Sequence, residues 1–174
     1  KSSRSTIFVA KLCAVLSRFV PSAIISCSQK AAEIHRQLGY AAQKMLFIPN
    51  GYDFTQFKPD PEQRKKMRTE LGVPEDLPLL GMVARYDPQK DHENLLKALG
   101  IAKRSGAAFH CALVGKNLDD ANDTVRKMLV REELVDAVSL LGERNDVPAL
   151  MNAFDIHVLS SAFGEAFPNV LVEA

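Results

Sequence analysis

Three adjoining stretches decide the fold: LLGMVA (79–84), RYDPQKD (85–91) and HENLLKAL (92–99). The first is an apolar run too short for a buried helix and bounded by Pro78 and Arg85, so it reads as a buried strand. The second is a polar loop stiffened by Pro88. In the third, apolar residues recur at three- and four-residue spacing, which predicts an amphipathic helix. Asp91 suits its N-cap, and Glu93 places an acid in the first turn, where the helix dipole favours one. Working outward, the same alternation repeats. FHCALVG (109–115), AVSLLG (137–142) and DIHVLSS (155–161) read as strands. TVRKMLVREEL (124–134) and VPALMNAF (147–154) read as helices between them, and a loop AFGEAFP (162–168) leads into a last helix from NVLVEA (169–174). Strands alternating with helices predict a parallel sheet flanked by helices, an α/β fold.

Upstream, a helix over 6–19 is stopped by Pro21, and a strand AIISC (23–27) follows. Ser28 caps a second helix that runs to Leu38 and ends at Gly39. A strand MLFIP closes at Pro49. The segment NGYDFTQFKPDPEQ (50–63) then changes texture: it holds turn formers and two prolines, with no periodic apolar face. A short polar helix, RKKMRTELG (64–72), completes it. The sequence thus divides into a βα portion over 1–49, a linker with a short helix over 50–75, and a second set of βα units over 76–174. The last helix stops at Ala174 within about two turns, and the first βα portion is equally abrupt, so the chain reads as part of a longer protein.

Bulk properties narrow the function. With 174 residues and 47% of them hydrophobic, the chain can bury one ordinary domain core. A formal charge of +1 lacks the basic excess of a general nucleic-acid binder. Cys13, Cys27 and Cys111 lie far apart without a CxxC pair, which predicts three small buried thiols in a reducing compartment. Lys11 and Arg18 interrupt the N-terminal apolar run, and no stretch reaches the length of a membrane span. A cytoplasmic protein is expected, with peripheral membrane contact left open. His35, His92, His110 and His157 have no metal spacing, and His110 and His157 are expected to be satisfied structural histidines within strands. Asp119, Asp120 and Asp123 lie in a polar loop and read as helix-capping residues.

Four blocks in order, IPNGYDFTQFKP, GMVARYDPQKDHENLLKAL, LVG with VSLLGERNDVPALMNAFDIHVLSS, and FGEAFPNVLVEA, resemble the retaining glycosyltransferases of family four. The resemblance covers nearly the whole chain from Ile24. It implies the Rossmann-like, C-terminal donor-binding domain of a GT-B fold, incomplete here, preceded by the end of the N-terminal, acceptor-side domain. It also implies transfer of a sugar from a nucleoside-diphosphate sugar to an acceptor hydroxyl with retention of configuration. The acceptor would be a saccharide or a lipid-linked one, in polysaccharide or glycolipid synthesis.

The residues themselves support that chemistry. Arg85 stands where a strand ends and Lys90 just before the next helix, at the edge where open parallel sheets bind ligands. A planar fork and a mobile point charge together suit a diphosphate. Glu165 sits in a loop, and Pro168 suits the first turn of a helix, with Glu173 in its second turn. Free N–H groups of Ala166 and Phe167 at that helix start would hold phosphate oxygens. Glu165 would face sugar hydroxyls and Glu173 ribose hydroxyls, a division the resemblance also implies. Asn169 either assists near the phosphates or starts the helix. Glu143 and Arg144 stand where the resemblance implies nucleobase contact through backbone atoms. The loop Gly115-Lys116-Asn117 departs from the family's commoner form, and Gly115 reads as a plain strand-ending glycine. No DxD-type motif is present, so no metal or other cofactor is expected. Arg85, Lys90 and Glu165 are the expected catalytic residues; isolated, the chain is expected to bind nucleotide weakly and to turn over nothing. Two further readings compete: another GT-B-like enzyme such as a sugar-nucleotide epimerase, and a non-catalytic nucleotide-binding scaffold.

Overall fold

The computed structural model describes residues 4–174 and divides into two units. The first runs to Gly51 and includes Ala166–Pro168; the second comprises Tyr52–Glu165 and Asn169–Ala174. In the first unit, helix α1 (Arg4–Leu16) precedes strand β1 (Ile24–Ser26), helix α2 (Gln29–Gln37) and strand β2 (Met45–Phe47). β1 and β2 pair in parallel. Ser28 caps α2 by accepting the Ala31 N–H, and Gly39 follows it at φ +95°, as their positions in the sequence predict. Buried Ser17 ties the unit together: its hydroxyl donates to the Ala14 carbonyl at 2.6 Å and accepts the Ala41 N–H at 2.9 Å.

The second unit holds helix α3 (Pro61–Glu70), strand β3 (Leu79–Val83), helix α4 (His92–Arg104), strand β4 (His110–Val114) and helix α5 (Asp123–Arg131). Strand β5 (Val138–Leu140), helix α6 (Val147–Ala153), strand β6 (Ile156–His157) and helix α7 (Val170–Glu173) follow. Its four strands are parallel in the order β5-β4-β3-β6. Side chains alternate across the sheet as a period of two requires. Cys111, Leu113 and Met82 point to one face with Leu95, Leu96 and Leu99 of α4 and Val125 and Leu129 of α5. Ala112, Val114 and Leu79 point to the other, with Met67 of α3 and Leu150, Ala153 and Phe154 at α6.

On that second face Gly81 is a packing requirement. A Cβ there would stand 2.2 Å from the Phe154 ring, which is a rigid body with no free end to swing aside. Gly81→Ala is therefore expected to cost about 1–3 kcal/mol through overpacking. Urea unfolding should show this as a lower midpoint with an unchanged slope; a wild-type midpoint would mean that Phe154 relocates freely.

The stretch 50–75 differs from a simple linker, because α3 is built into the second unit. Arg68, only 2% exposed, donates to the carbonyls of Ala153, Pro74 and Leu77 and pairs with Asp155 Oδ2 at 3.0 Å. Arg64 reaches Asp155 Oδ1 at 2.8 Å and Glu75 at 2.7 Å. Asp155 completes the knot by accepting the Leu79 N–H at 2.7 Å, at the start of β3. A sequence as polar as RKKMRTE looks solvated, yet one of its arginines is among the largest buried side chains of the protein.

Candidate functional site

The order of the sheet reverses at β3. β4 and β5 extend from one edge of β3, whereas β6 returns to the other. Loops from neighbouring strands part at such a reversal and leave a crevice at the carboxyl ends of the strands. The loop after β3 carries Arg85 and Lys90, and the loop after β6 carries Ser160, Ser161 and Glu165.

The first loop leaves the sheet under close constraint. Gly115 has φ +145°, and a Cβ on it would stand 2.3 Å from the Ala84 carbonyl oxygen, so only glycine lets the ends of β3 and β4 approach this closely. The Tyr86 N–H donates to the Lys116 carbonyl at 2.9 Å. Asp87 then turns the chain by accepting the Gln89 N–H at 2.9 Å on its side chain and the Lys90 N–H at 2.9 Å on its carbonyl. Asp91, in the left-handed region at φ 49°, caps α4 by accepting the Asn94 N–H. The second loop is stitched to the first: the Ala162 N–H donates to the Gln89 carbonyl at 2.9 Å, and the Ser160 hydroxyl to the Lys90 carbonyl at 2.7 Å.

Across this seam the charged side chains meet. Lys90 Nζ donates to Glu165 Oε1 at 2.5 Å, and the Ser161 hydroxyl donates to the same oxygen at 2.6 Å. Their side chains are 15% and 24% exposed, so the pair is partly shielded from water. Lys90 first, then Ser161, holds the Glu165 carboxyl below its ordinary value of 4.5. Because the folded value is the lower one, the stabilisation is complete above about pH 4.5 and is lost as pH falls through the folded value. The stability difference between the protein and Glu165→Gln should therefore shrink on acidification from about pH 6 to pH 3. A difference constant over that range would show that the pair contributes nothing. Arg85 is held more loosely. It lies 3.4 Å from Asp87, with side chains 59% and 34% exposed, a surface pair worth at most about 1 kcal/mol.

The remaining candidates are dispersed. α7 opens at Val170 with Asn169 as its N-cap, so Ala166, Phe167 and Pro168 precede the helix, and Pro168 is not in its first turn. The helix start predicted beside Phe167 is displaced toward the C-terminus, and the dipole argument does not apply to the N–H groups of Ala166 and Phe167. Asn169 does start the helix, and its side chain accepts the Tyr52 hydroxyl at 3.1 Å. Glu173 ends α7 in a recess of about 380 Å³ lined also by Phe54, Phe57 and Pro148. Glu143 is exposed. The Arg144 guanidinium is committed within the protein, to both oxygens of Asp146 at 2.8 and 2.6 Å and to Glu70 at 2.9 Å. Only its main chain is left for a nucleobase.

Other expectations change in detail. α5 is capped by Asn122, whose side chain accepts the Thr124 and Val125 N–H groups, while Asp119 caps the preceding turn and Asp123 is the first helical residue. Asparagine matches aspartate as a cap. His110 is satisfied by Ser139 at 2.8 Å, but among the described residues neither ring nitrogen of His157 or of His92 has a partner. Burial drives the His92 imidazole down to about 4. Cys111 is buried, its thiol pushed up to about 12, whereas Cys13 is exposed and Cys27 half-buried. Among the described residues there is no group of three or more His, Cys, Asp or Glu able to hold a metal, and no helix long and apolar enough to cross a membrane. Ser160, Ser161, Asp87 and Tyr52 were not singled out in the sequence; a pair of serines closing an apolar strand was the one available signal.

Residues 63–174, from α3 through α7, match the family Glycosyl transferases group 1. The chain belongs to this family. It is 28% identical over 154 residues to a putative glycosyltransferase, EpsF, of Bacillus subtilis (strain 168), covering 88% of this chain and 39% of that protein. The Anabaena HepE crystal structure with UDP and glucose superposes with a TM-score of 0.85 at 29% identity, over 97% of this chain and 45% of HepE. A sucrose-phosphate synthase from Thermosynechococcus elongatus, 21% identical, shares the fold at a TM-score of 0.81, over 99% of this chain and 42% of the synthase. The chain thus spans less than half the length of these proteins, and it shares a parallel α/β fold with the two solved structures.

Proposed function

We propose that the protein contributes the donor site of a glycosyltransferase, moving a sugar from a nucleoside-diphosphate sugar to an acceptor hydroxyl. The observation that carries this is the convergence of Lys90, Ser161 and Glu165 at the point where the sheet order reverses, with Arg85 on the same loop. In the reaction the bond between the anomeric carbon and the diphosphate oxygen breaks, and the acceptor oxygen takes its place. The leaving diphosphate gains negative charge, which preorganised cations stabilise best in a partly dry site. Lys90 has three donors, and the contact with Glu165 engages one. Arg85 can exchange its weak pair with Asp87 for phosphate oxygens at little cost.

Glu165 is the acceptor for sugar hydroxyls, and Glu173 takes the ribose. Asn169 completes the phosphate contacts, and the main chain at Glu143 and Arg144 completes the base contacts. Transfer with retention and without a divalent ion belongs to the same reading, as does a saccharide or lipid-linked acceptor in polysaccharide or glycolipid assembly. So does a cytoplasmic setting with peripheral membrane contact. The similarity to HepE, crystallised with UDP-glucose at a TM-score of 0.86 and 29% identity, makes uridine the first base to test. Calorimetric titration with UDP, GDP and ADP, then with their hexose conjugates, is the direct experiment. Preference for one base and gain of affinity from the sugar are expected; equal binding of all three diphosphates would favour a non-catalytic nucleotide-binding domain.

A further inference from the structure

Glu165 has two carboxylate oxygens in differing situations. Oε1 receives both protein donors, Lys90 Nζ at 2.5 Å and the Ser161 hydroxyl at 2.6 Å. Among the described residues Oε2 receives none. A carboxylate rotates about its last bond unless something distinguishes its oxygens, and a single ammonium, a mobile point charge, does so poorly. The second donor, from a side chain only four residues away, supplies the distinction. One residue earlier, the Ser160 hydroxyl reaches the carbonyls of Lys90 at 2.7 Å and Asp91 at 3.1 Å. It therefore fixes the backbone that carries the ammonium. Two consecutive serines thus act on the two partners of one ion pair, each through a different kind of contact.

We propose that Ser160 and Ser161 are positioning residues: Ser160 clips the Lys90 turn to the end of β6, and Ser161 turns Glu165 so that Oε2 faces the sugar of the donor. The proposal rests on the donor-site reading above and extends it to the choice of oxygen. A sugar hydroxyl then finds an acceptor with its lone pairs open and its direction set, instead of one that must be reoriented on binding. That gain exists only for a ligand carrying the sugar. The Ser160 contact acts on the ammonium and so on the diphosphate, whether or not a sugar is attached.

The two serines therefore separate in a binding experiment. Calorimetry on the full chain would compare UDP with the UDP-hexose bound most tightly in the panel above. Ser161→Val, which nearly matches threonine in shape but lacks the hydroxyl, should weaken the UDP-hexose about tenfold, in keeping with loss of a hydrogen bond to a charged group. UDP should change less than about threefold, since it lacks the sugar. Ser161→Thr, which keeps the hydroxyl, should retain the wild-type ratio between the two ligands. Should Ser161→Val fail to fold, Ser161→Ala provides the same comparison. Ser160→Ala should weaken both ligands by a similar factor. Equal loss of UDP and UDP-hexose in Ser161→Val, or a Thr variant no better than Val, would overturn the proposal while leaving the donor site standing. Failure of the unaltered chain to gain affinity from any attached hexose would instead overturn the donor-site reading, and this proposal with it.

Discussion

Replacing Lys90 by alanine is expected to weaken nucleoside-diphosphate binding about a hundredfold, within the roughly 2–4 kcal/mol that follows loss of one preorganised donor. Two effects add. The diphosphate loses a cation on a loop whose backbone is fixed by Asp87, Ser160 and Ala162. Glu165 also loses the partner that comes first in keeping its carboxyl ionised at low pH, and an unpaired carboxylate beside the ligand repels it. The double variant Lys90→Ala with Glu165→Gln separates these effects. If repulsion contributes, the double variant should bind UDP better than Lys90→Ala alone, and the two changes should be non-additive. Lys90→Arg should restore only part of the affinity, because a wide planar fork does not reproduce a compact ammonium with three donors. Calorimetry with UDP checks all three, and wild-type affinity in Lys90→Ala would remove Lys90 from the site.

A larger loss, in stability, is expected at Arg68. Arg68→Leu should lower the unfolding free energy of the second unit by about 3–5 kcal/mol, the range for breaking a buried pair from one side. The guanidinium is 2% exposed and serves carbonyls on two segments, at Ala153 and at Pro74 and Leu77, besides Asp155. Leucine fills part of the volume and satisfies none of these. Asp155 keeps Arg64 and the Leu79 N–H, which places the expected value toward the lower end of the range. Arg68→Lys should recover a fraction, as a single ammonium cannot span both segments. Thermal and urea unfolding measure the change; a loss below about 1 kcal/mol would mean that the carbonyls find other donors.

Much of the architecture was legible because local chemistry decides it. The apolar run 79–84, the Asp91 cap and the spacing of α4 are independent signals that agree, and the β3–α4 unit formed as they predict. The placement of Arg85 and Lys90 at a strand's carboxyl end followed from that unit alone. What escaped depends on partners distant in sequence. Arg144 is expected to meet a nucleobase through its backbone, and nothing in the pattern showed that its side chain pairs with Glu70, 74 residues away, as well as with its neighbour Asp146. Arg68 looked solvated because most of its acceptors are backbone carbonyls, which leave no trace in a residue pattern, and its carboxylate partner Asp155 is 87 residues away. The start of α7 was misplaced because proline at a helix's first turn is only a preference, and the helix opens two residues later, at Val170. Ser161 escaped for a similar reason, since its role appears only once Lys90 lies across from Glu165.

The attachment of α3 bears on recombination between relatives. Exchange of donor-binding halves is an obvious route to transferases with new sugar preferences, and the polar segment 64–72 invites a crossover after it. Such a hybrid would pair a foreign sheet with a native Arg64 and Arg68, whose acceptors lie at Glu75, Ala153 and Asp155 beyond the junction. A crossover before Asp60, which caps α3 and whose own N–H donates to the Asn152 side-chain oxygen, keeps every one of these partners on the same parent.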